Sequence, residues 1–152
     1  MIFVKNEQNR LVFVNQFTAR YYGTTPEHML SKSTEEFHPV GSETMDFVND
    51  EQTVMRTRTP IVREEPNIVS DGTLHWFHTI KVPLVRQDGS VEVLGVATDI
   101  TGRKQAEAEF MLEHNLLRTV INNVPDLIHV KHKDRRFILA NTAWIRSRTP
   151  PP

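Results

Sequence analysis

Residues 2–20, IFVKNEQNRLVFVNQFTAR, return 126 positions later as IHVKHKDRRFILANTAWIR, residues 128–146, without a gap. Identities fall at Ile2/Ile128, Val4/Val130, Lys5/Lys131, Arg10/Arg136, Asn15/Asn141 and Arg20/Arg146, and the apolar run 11–14 faces another at 137–140. A repeat of this kind is one supersecondary unit used twice. Each copy reads as a strand, a polar turn, a second strand and an Asn that opens a helix. Asn15 and Asn141 suit the N-cap, where the side-chain oxygen accepts a bond from an orphan helix N–H, worth about 1 kcal/mol. Phe17 and Tyr21, four apart, give the first helix one apolar face.

An offset of 126 corresponds to one domain plus its connector. The second copy then holds only a hairpin and the start of a helix before RTPPP, too little to bury a core alone, and the first copy lacks the helix-like LLRTVINNVP that precedes the second. The chain is expected to be a fragment of something longer.

Within the first copy, Gly23 ends the opening helix and TTPEHML predicts a short one, with Thr25 as cap and Pro26 at its first position. A further turn is expected at Glu35 to His38. Ser42 precedes a longer helix over 43–58, with Met45, Val48 and Met55 on one face and Pro60 closing it. From Ile61 the pattern turns to β: IVREEPNIV, SDGT, TLHWFHTIKVPLV, RQDGS, VEVLGVATDI. Asp71-Gly72 and Asp88-Gly89 supply the positive-φ positions of tight hairpins, and Pro66 and Pro83 belong on strand edges or at bulges. The class is α+β: a five-stranded antiparallel sheet with short helices on one face, followed by a long helix. That last helix runs from Thr101 to about Val124, with Ala106, Phe110, Leu117, Val120, Ile121 and Val124 on a seam interrupted by Glu113, and at 1.5 Å per residue spans about 35 Å.

Composition narrows the chemistry. The 152 residues are 38% hydrophobic, enough for a core, and the net charge of −1 supplies no field to draw the chain onto nucleic acid or anionic lipid. There is no cysteine, which excludes disulfides, thiolate metal sites, thiol nucleophiles and cysteine-linked cofactors. No apolar run is long enough to span a bilayer and the N-terminus has no signal-peptide core, so a cytoplasmic setting is expected.

The element order and four stretches resemble the PAS sensory family with its C-terminal PAC segment. These are the hairpin ending in VNQ, GTTPEHML, DGTLHWFHTIKVPL, and VATDITGRKQAE, the last the most specific. The resemblance covers residues 2 to about 104, and the start of a second unit covers about 116 to 146. It implies three parts: a sensor domain at 1–100, a helical signalling linker at 101–124 and the truncated start of a second PAS domain at 125–152. It further implies a non-catalytic sensor and dimerisation module of a histidine kinase or diguanylate cyclase type of protein. Asp99 and Thr101 match the family motif that couples the last strand to the exit helix. A carboxylate and a hydroxyl there can equally be plain caps of that helix.

The remaining motifs point away from catalysis. His75 and His78 lie three apart in a strand and so face opposite sides, as do His129 and His132, which argues against a shared metal. Around His114, EHNLLRTV departs from the phosphoacceptor box of histidine kinases, with Asn115 in place of the acid and an extra leucine before Arg118. Phosphate-cradling glycine loops, zinc-protease helices and nucleophile elbows are missing. The basic cluster Lys131, Lys133, Arg135 and Arg136 reads as a solvated hairpin turn.

Cysteine-dependent flavin and cinnamoyl chromophores are excluded. Haem is disfavoured because the family's usual histidine on the long helix is missing from 43–58, His28 and His38 lying in the neighbouring turns; non-covalent flavin is disfavoured equally. A small-molecule pocket is expected between sheet and long helix, with Phe37, Met45, Val48, Met55 and Ile80 as lining candidates, and these residues can equally be core packing. A homodimer through the linker helix or the sheet face is expected, Trp76 and Phe77 lying on opposite faces of their strand. The alternative is a purely structural interaction domain that holds no ligand.

Overall fold

The computed structural model describes residues 1–36, 42–69 and 71–148. The chain divides into two compact units, Met1–Gly102 and Arg103–Pro152. In the first, β1 (Ile2–Lys5) and β2 (Leu11–Val14) form a hairpin, followed by α1 (Gln16–Tyr21), α2 (Pro26–Met29), a 3₁₀ turn (Thr34–Glu36) and α3 (Ser42–Thr57). Three longer strands close it: β3 (Ile61–Ile68), β4 (Leu74–Val85) and β5 (Val91–Asp99). The expected five-stranded antiparallel sheet has the order β2-β1-β5-β4-β3. β1 lies beside β5, Ile2 opposite Val96 and Lys5 opposite Val93, so the first strand of the unit seals the last.

The local signals act as their chemistry requires. Asn15 Oδ1 accepts from Thr18 N at 3.0 Å and from Ile2 N at 3.2 Å, capping α1 while tying it to β1. Thr25 caps α2. Gly72 and Gly89 hold φ of 83° and 87° in the two Asp-Gly turns, where each Asp side chain accepts the N–H two residues on. Pro66 is on β3, an edge strand, opposite Trp76. Trp76 turns its backbone N–H and C=O the other way, toward Thr101 and Ile100, so the missing N–H of Pro66 breaks no ladder bond. Pro83 falls where β4 has run past the end of β3, which stops pairing at Lys81.

α3 begins one residue before the expected start and ends one before the expected end. Of the expected turn at 35–38, the 3₁₀ turn accounts for Glu35 and Glu36; Phe37 and His38 lie outside the described residues. One apolar cluster joins Leu11, Val14, Ala19 and Met29, with Phe3 and Tyr22 packed on it, and Val4, Val54, Phe77, Val91, Val93 and Ala97 are also buried among the described residues. Around it the interior is unusually polar, with Lys5, Thr34, Asp50, Glu51, Asn67, Thr79 and Lys81 all buried.

α4 (Thr101–Asn123) is the long helix, 23 residues and about 34 Å by its rise per residue, with no buried side chain. The second unit continues with β6 (His129–Lys131), β7 (Phe137–Ala140) and α5 (Thr142–Arg148). It reproduces the first hairpin in detail. Asn141 Oδ1 accepts from Trp144 N at 2.9 Å and Ile128 N at 3.1 Å, as Asn15 does from Thr18 and Ile2. Both hairpins shift register at the same place, Val4/Lys5 and Val130/Lys131, and both turn through a left-handed residue, Asn9 (φ 58°) and Arg135 (φ 65°).

Candidate functional site

Between the sheet and α3 lies a cavity of about 60 Å³. β1 contributes Phe3 and Lys5, β4 contributes Phe77, Thr79 and Lys81, β3 contributes Glu65 and Asn67, and α3 contributes Phe47 and Glu51. The register explains this set. Phe3, Gly95 and Lys81 lie in one row across β1, β5 and β4, with Thr79 and Ala97 in the next, all on the helix-covered face. Gly95 is required there: a Cβ would come within 2.1 Å of the Phe3 ring, so only glycine lets that ring lie flat on the sheet floor.

The charges are arranged in pairs. Lys5 Nζ donates to both Glu51 oxygens, at 2.8 and 2.7 Å, and to Thr34 Oγ1. Burial pushes the Lys5 ammonium below its ordinary range while the Glu51 carboxylate opposes that shift. Arg63 grips Asp50 with two bonds of 2.6 and 2.9 Å. Burial raises the Glu65 carboxyl, although Lys81 and the Thr79 hydroxyl that bonds it pull the other way. Asn67 Nδ2 donates to the Tyr22 phenol at 3.0 Å, and burial pushes that phenol up to about 12.

Of the sequence-derived candidates, Phe37 lies outside the described residues and none of the other four lines this cavity. Met45 is 55% exposed. Val48 is half-buried, and half-buried Met55 borders a shallow groove with Glu7, Gln52, Arg56 and Val91. Ile80 is on the other side of the sheet, 37% exposed, in a row with Ile2, Val96 and Val62. The face of α3 that turns inward carries Phe47, Asp50, Glu51 and Val54, and the inward face of β4 carries Phe77, Thr79 and Lys81. An apolar-in pattern misassigns both elements, because here the inward positions mix charged with aromatic and aliphatic side chains while Met45 and Ile80 face outward. The available signal was a lysine at an inward alternation in both FVK and TIK.

A second cluster joins this wall to the start of α4. Phe77, 1% exposed, stacks on His75 with centroids 6.4 Å apart, and Tyr21 sits edge-on to both rings. His75 Nδ1 is 2.8 Å from Asp99 Oδ2, and Asp99 Oδ1 accepts from Thr101 N at 2.8 Å. Thr101 Oγ1 in turn accepts from Trp76 N at 2.9 Å. Burial acts to raise Asp99, but the Thr101 and His75 bonds outweigh it and hold the carboxyl below its ordinary range. His78 is on the opposite face from His75, and among the described residues no group of three His, Asp or Glu side chains could hold a metal ion. No helix among the described residues is long and apolar enough to cross a membrane.

Residues 1–105 match a family model described as PAS fold, and residues 115–146 match a second described as PAS domain. Over 117 residues the chain is 31% identical to the methanogenesis regulatory histidine kinase FilI of Methanothrix harundinacea, covering 76% of this chain and 13% of that protein. A diguanylate cyclase of Vibrio cholerae is 31% identical over 103 residues, 66% of this chain and 32% of the cyclase. The chain thus spans a third or less of the length of either relative. Among solved structures, the PAS domain of a protein from Colwellia psychrerythraea superposes with a TM-score of 0.56 at 22% identity, covering 66% of this chain and 86% of that one. That likeness concerns the fold.

Proposed function

Because the chain belongs to the PAS family, we propose that its first unit is a cytoplasmic sensory module, without catalysis of its own, that holds a small molecule and reports its presence through α4. The parent would be a signalling protein of histidine kinase or diguanylate cyclase type, as the two relatives are. The observation that carries this reading is an unbroken line of contacts from cavity to helix: Phe77 on the cavity wall, His75 stacked on it, Asp99 bonded to His75, and Thr101 bonded to Asp99. A ligand that moved Phe77 would act on the first turn of α4 with no gap in between, which gives two conformations a means to be biased.

Dimerisation belongs to the same proposal. α4 leaves Phe110, Leu117 and Val120 exposed at heptad-like spacing, and the outer sheet face leaves Ile2, Val62, Ile80 and Val96 exposed. Either face would pair two copies.

Native mass spectrometry of the 152-residue chain purified without denaturation tests the sensory half. A retained small molecule, lost on unfolding, supports it. A chain that carries nothing, and that no small molecule stabilises against heat, leaves an interaction domain instead.

A further inference from the structure

We propose that the cavity is a site for a compact organic monocarboxylate, its anionic end bonded to Lys81 Nζ and its apolar end against Phe3, Phe47 and Phe77. This rests on the small-molecule reading above and names the chemistry of that ligand.

The inference follows from which buried charges are satisfied. Lys5 is neutralised by Glu51 through two bonds and completed by Thr34. Asp50 spends both oxygens on Arg63. Lys81 is paired more weakly: its side chain is 3% exposed, its one hydrogen bond among the described residues is to Phe47 O at 3.3 Å, and its ion-pair contact with Asp50 is long, 3.9 Å, to an oxygen that Arg63 already holds at 2.6 Å. An ammonium carries three donors, and a buried charge is stable only when paired and bonded. Among the described residues two of the Lys81 donors have no acceptor. Glu65, the other lining carboxyl, takes the Thr79 hydroxyl and makes no hydrogen bond to Lys81 among the described residues; burial raises it while the nearby Lys81 charge pulls it down.

The walls decide what kind of anion fits. Lys81 Nζ lies 5.3 Å from the centre of the Phe47 ring, and Phe3 and Phe77 complete an aromatic enclosure. A phosphate or sulfate dianion would bring more charge than one ammonium neutralises and no apolar surface for these rings. A carboxylate brings one charge, two acceptor oxygens and an apolar body.

The test uses the 152-residue chain with acetate and propionate as probes, small enough for a cavity of about 60 Å³, against the neutral isosteres acetamide and propionamide, in calorimetric titration and thermal unfolding. Both carboxylates are expected to bind and raise Tm, with the amides at least about tenfold weaker, the loss of one charge-assisted contact. Lys81→Met should lose the carboxylate preference. Glu65→Gln should tighten carboxylate binding, because it removes the competing anion, and it keeps the test alive if Lys81→Met does not fold. Amides that bind as tightly as the acids would overturn the carboxylate assignment while leaving a small-molecule site in place. No binding by any of the four probes, with nothing retained in native mass spectrometry, would remove both.

Discussion

Lys5 Nζ lies 2.8 and 2.7 Å from the two carboxylate oxygens of Glu51, and the side chains are only 4% and 2% exposed. The pair joins β1 to α3 across 46 residues of sequence, beside the cavity. Two opposite charges out of water hold each other in place, but neither can be removed alone without leaving an uncompensated charge. Glu51→Gln is expected to cost about 3–5 kcal/mol in urea unfolding. The double variant Lys5→Met with Glu51→Leu should cost less than either single change. Strictly additive costs would mean that the two charges do not support each other.

The second prediction concerns the floor of the cavity. In Gly95→Ala the new methyl would sit 2.1 Å from Phe3 Cζ, so the ring must leave the sheet and enter the cavity. Overpacking of this kind costs about 1–3 kcal/mol. Adding Phe3→Leu should recover most of that loss in thermal unfolding, because it withdraws the atoms that collide. If Gly95→Ala is as stable as the parent, the close approach of Phe3 imposes no requirement for glycine.

Alkaline pH should expose the buried phenol. Tyr22 is raised from 10 to about 12, so between those values the folded chain keeps a proton that the unfolded chain has released. Stability then falls as pH rises across that window, by about 2–3 kcal/mol from this group, and is fully present below pH 10. Tyr22→Phe has no proton to keep, and its stability should decline less steeply from pH 10 to 12. Parallel curves for the two proteins would contradict this.

At the start of α4, Asp99 accepts the Thr101 N–H and meets His75. Asp99→Ala is expected to leave the sheet folded, as read by circular dichroism, while broadening or shifting spin-label distances between β4 and α4. Because Asp99 is held below its ordinary range, its contribution is present above the unfolded value and is lost as pH falls through the folded one. Acid should therefore loosen the junction in the parent and change nothing in Asp99→Ala. Identical distances in the two proteins at neutral pH would leave Asp99 as a simple cap.

The proposed homodimer is separable by face. Phe110→Glu with Leu117→Glu places charges on the exposed seam of α4, and Val62→Glu with Ile80→Glu does so on the outer sheet. One of these pairs should convert a dimer, measured by light scattering, into a monomer, which also identifies the face. A mass unchanged by both would exclude both faces.

Much of the fold was legible in short stretches of residues. Asn15 and Thr25 cap the helices they precede because an N-cap needs only an oxygen and a following N–H. The Asp-Gly turns form because glycine alone accepts their backbone angles without strain. The repeat, its copies 126 positions apart, carries its own register shift and left-handed turn residue from Asn9 to Arg135. Each of these depends on neighbours within a few positions, so the order of residues suffices to specify it. The site was less legible because its parts are selected at long range. Whether α3 turns in Met45 and Met55 or Phe47 and Glu51, and whether β4 turns in Ile80 or Lys81, cannot be decided by periodicity, since both faces have the right spacing.

The sequence by itself determined the strand and helix order, the caps, the turns and the family. Only the tertiary structure decided that the cavity is lined by charge, because a buried Lys5 is tolerable solely when folding brings Glu51 to it from 46 residues away, and that distance is closed by the sheet and not by the chain.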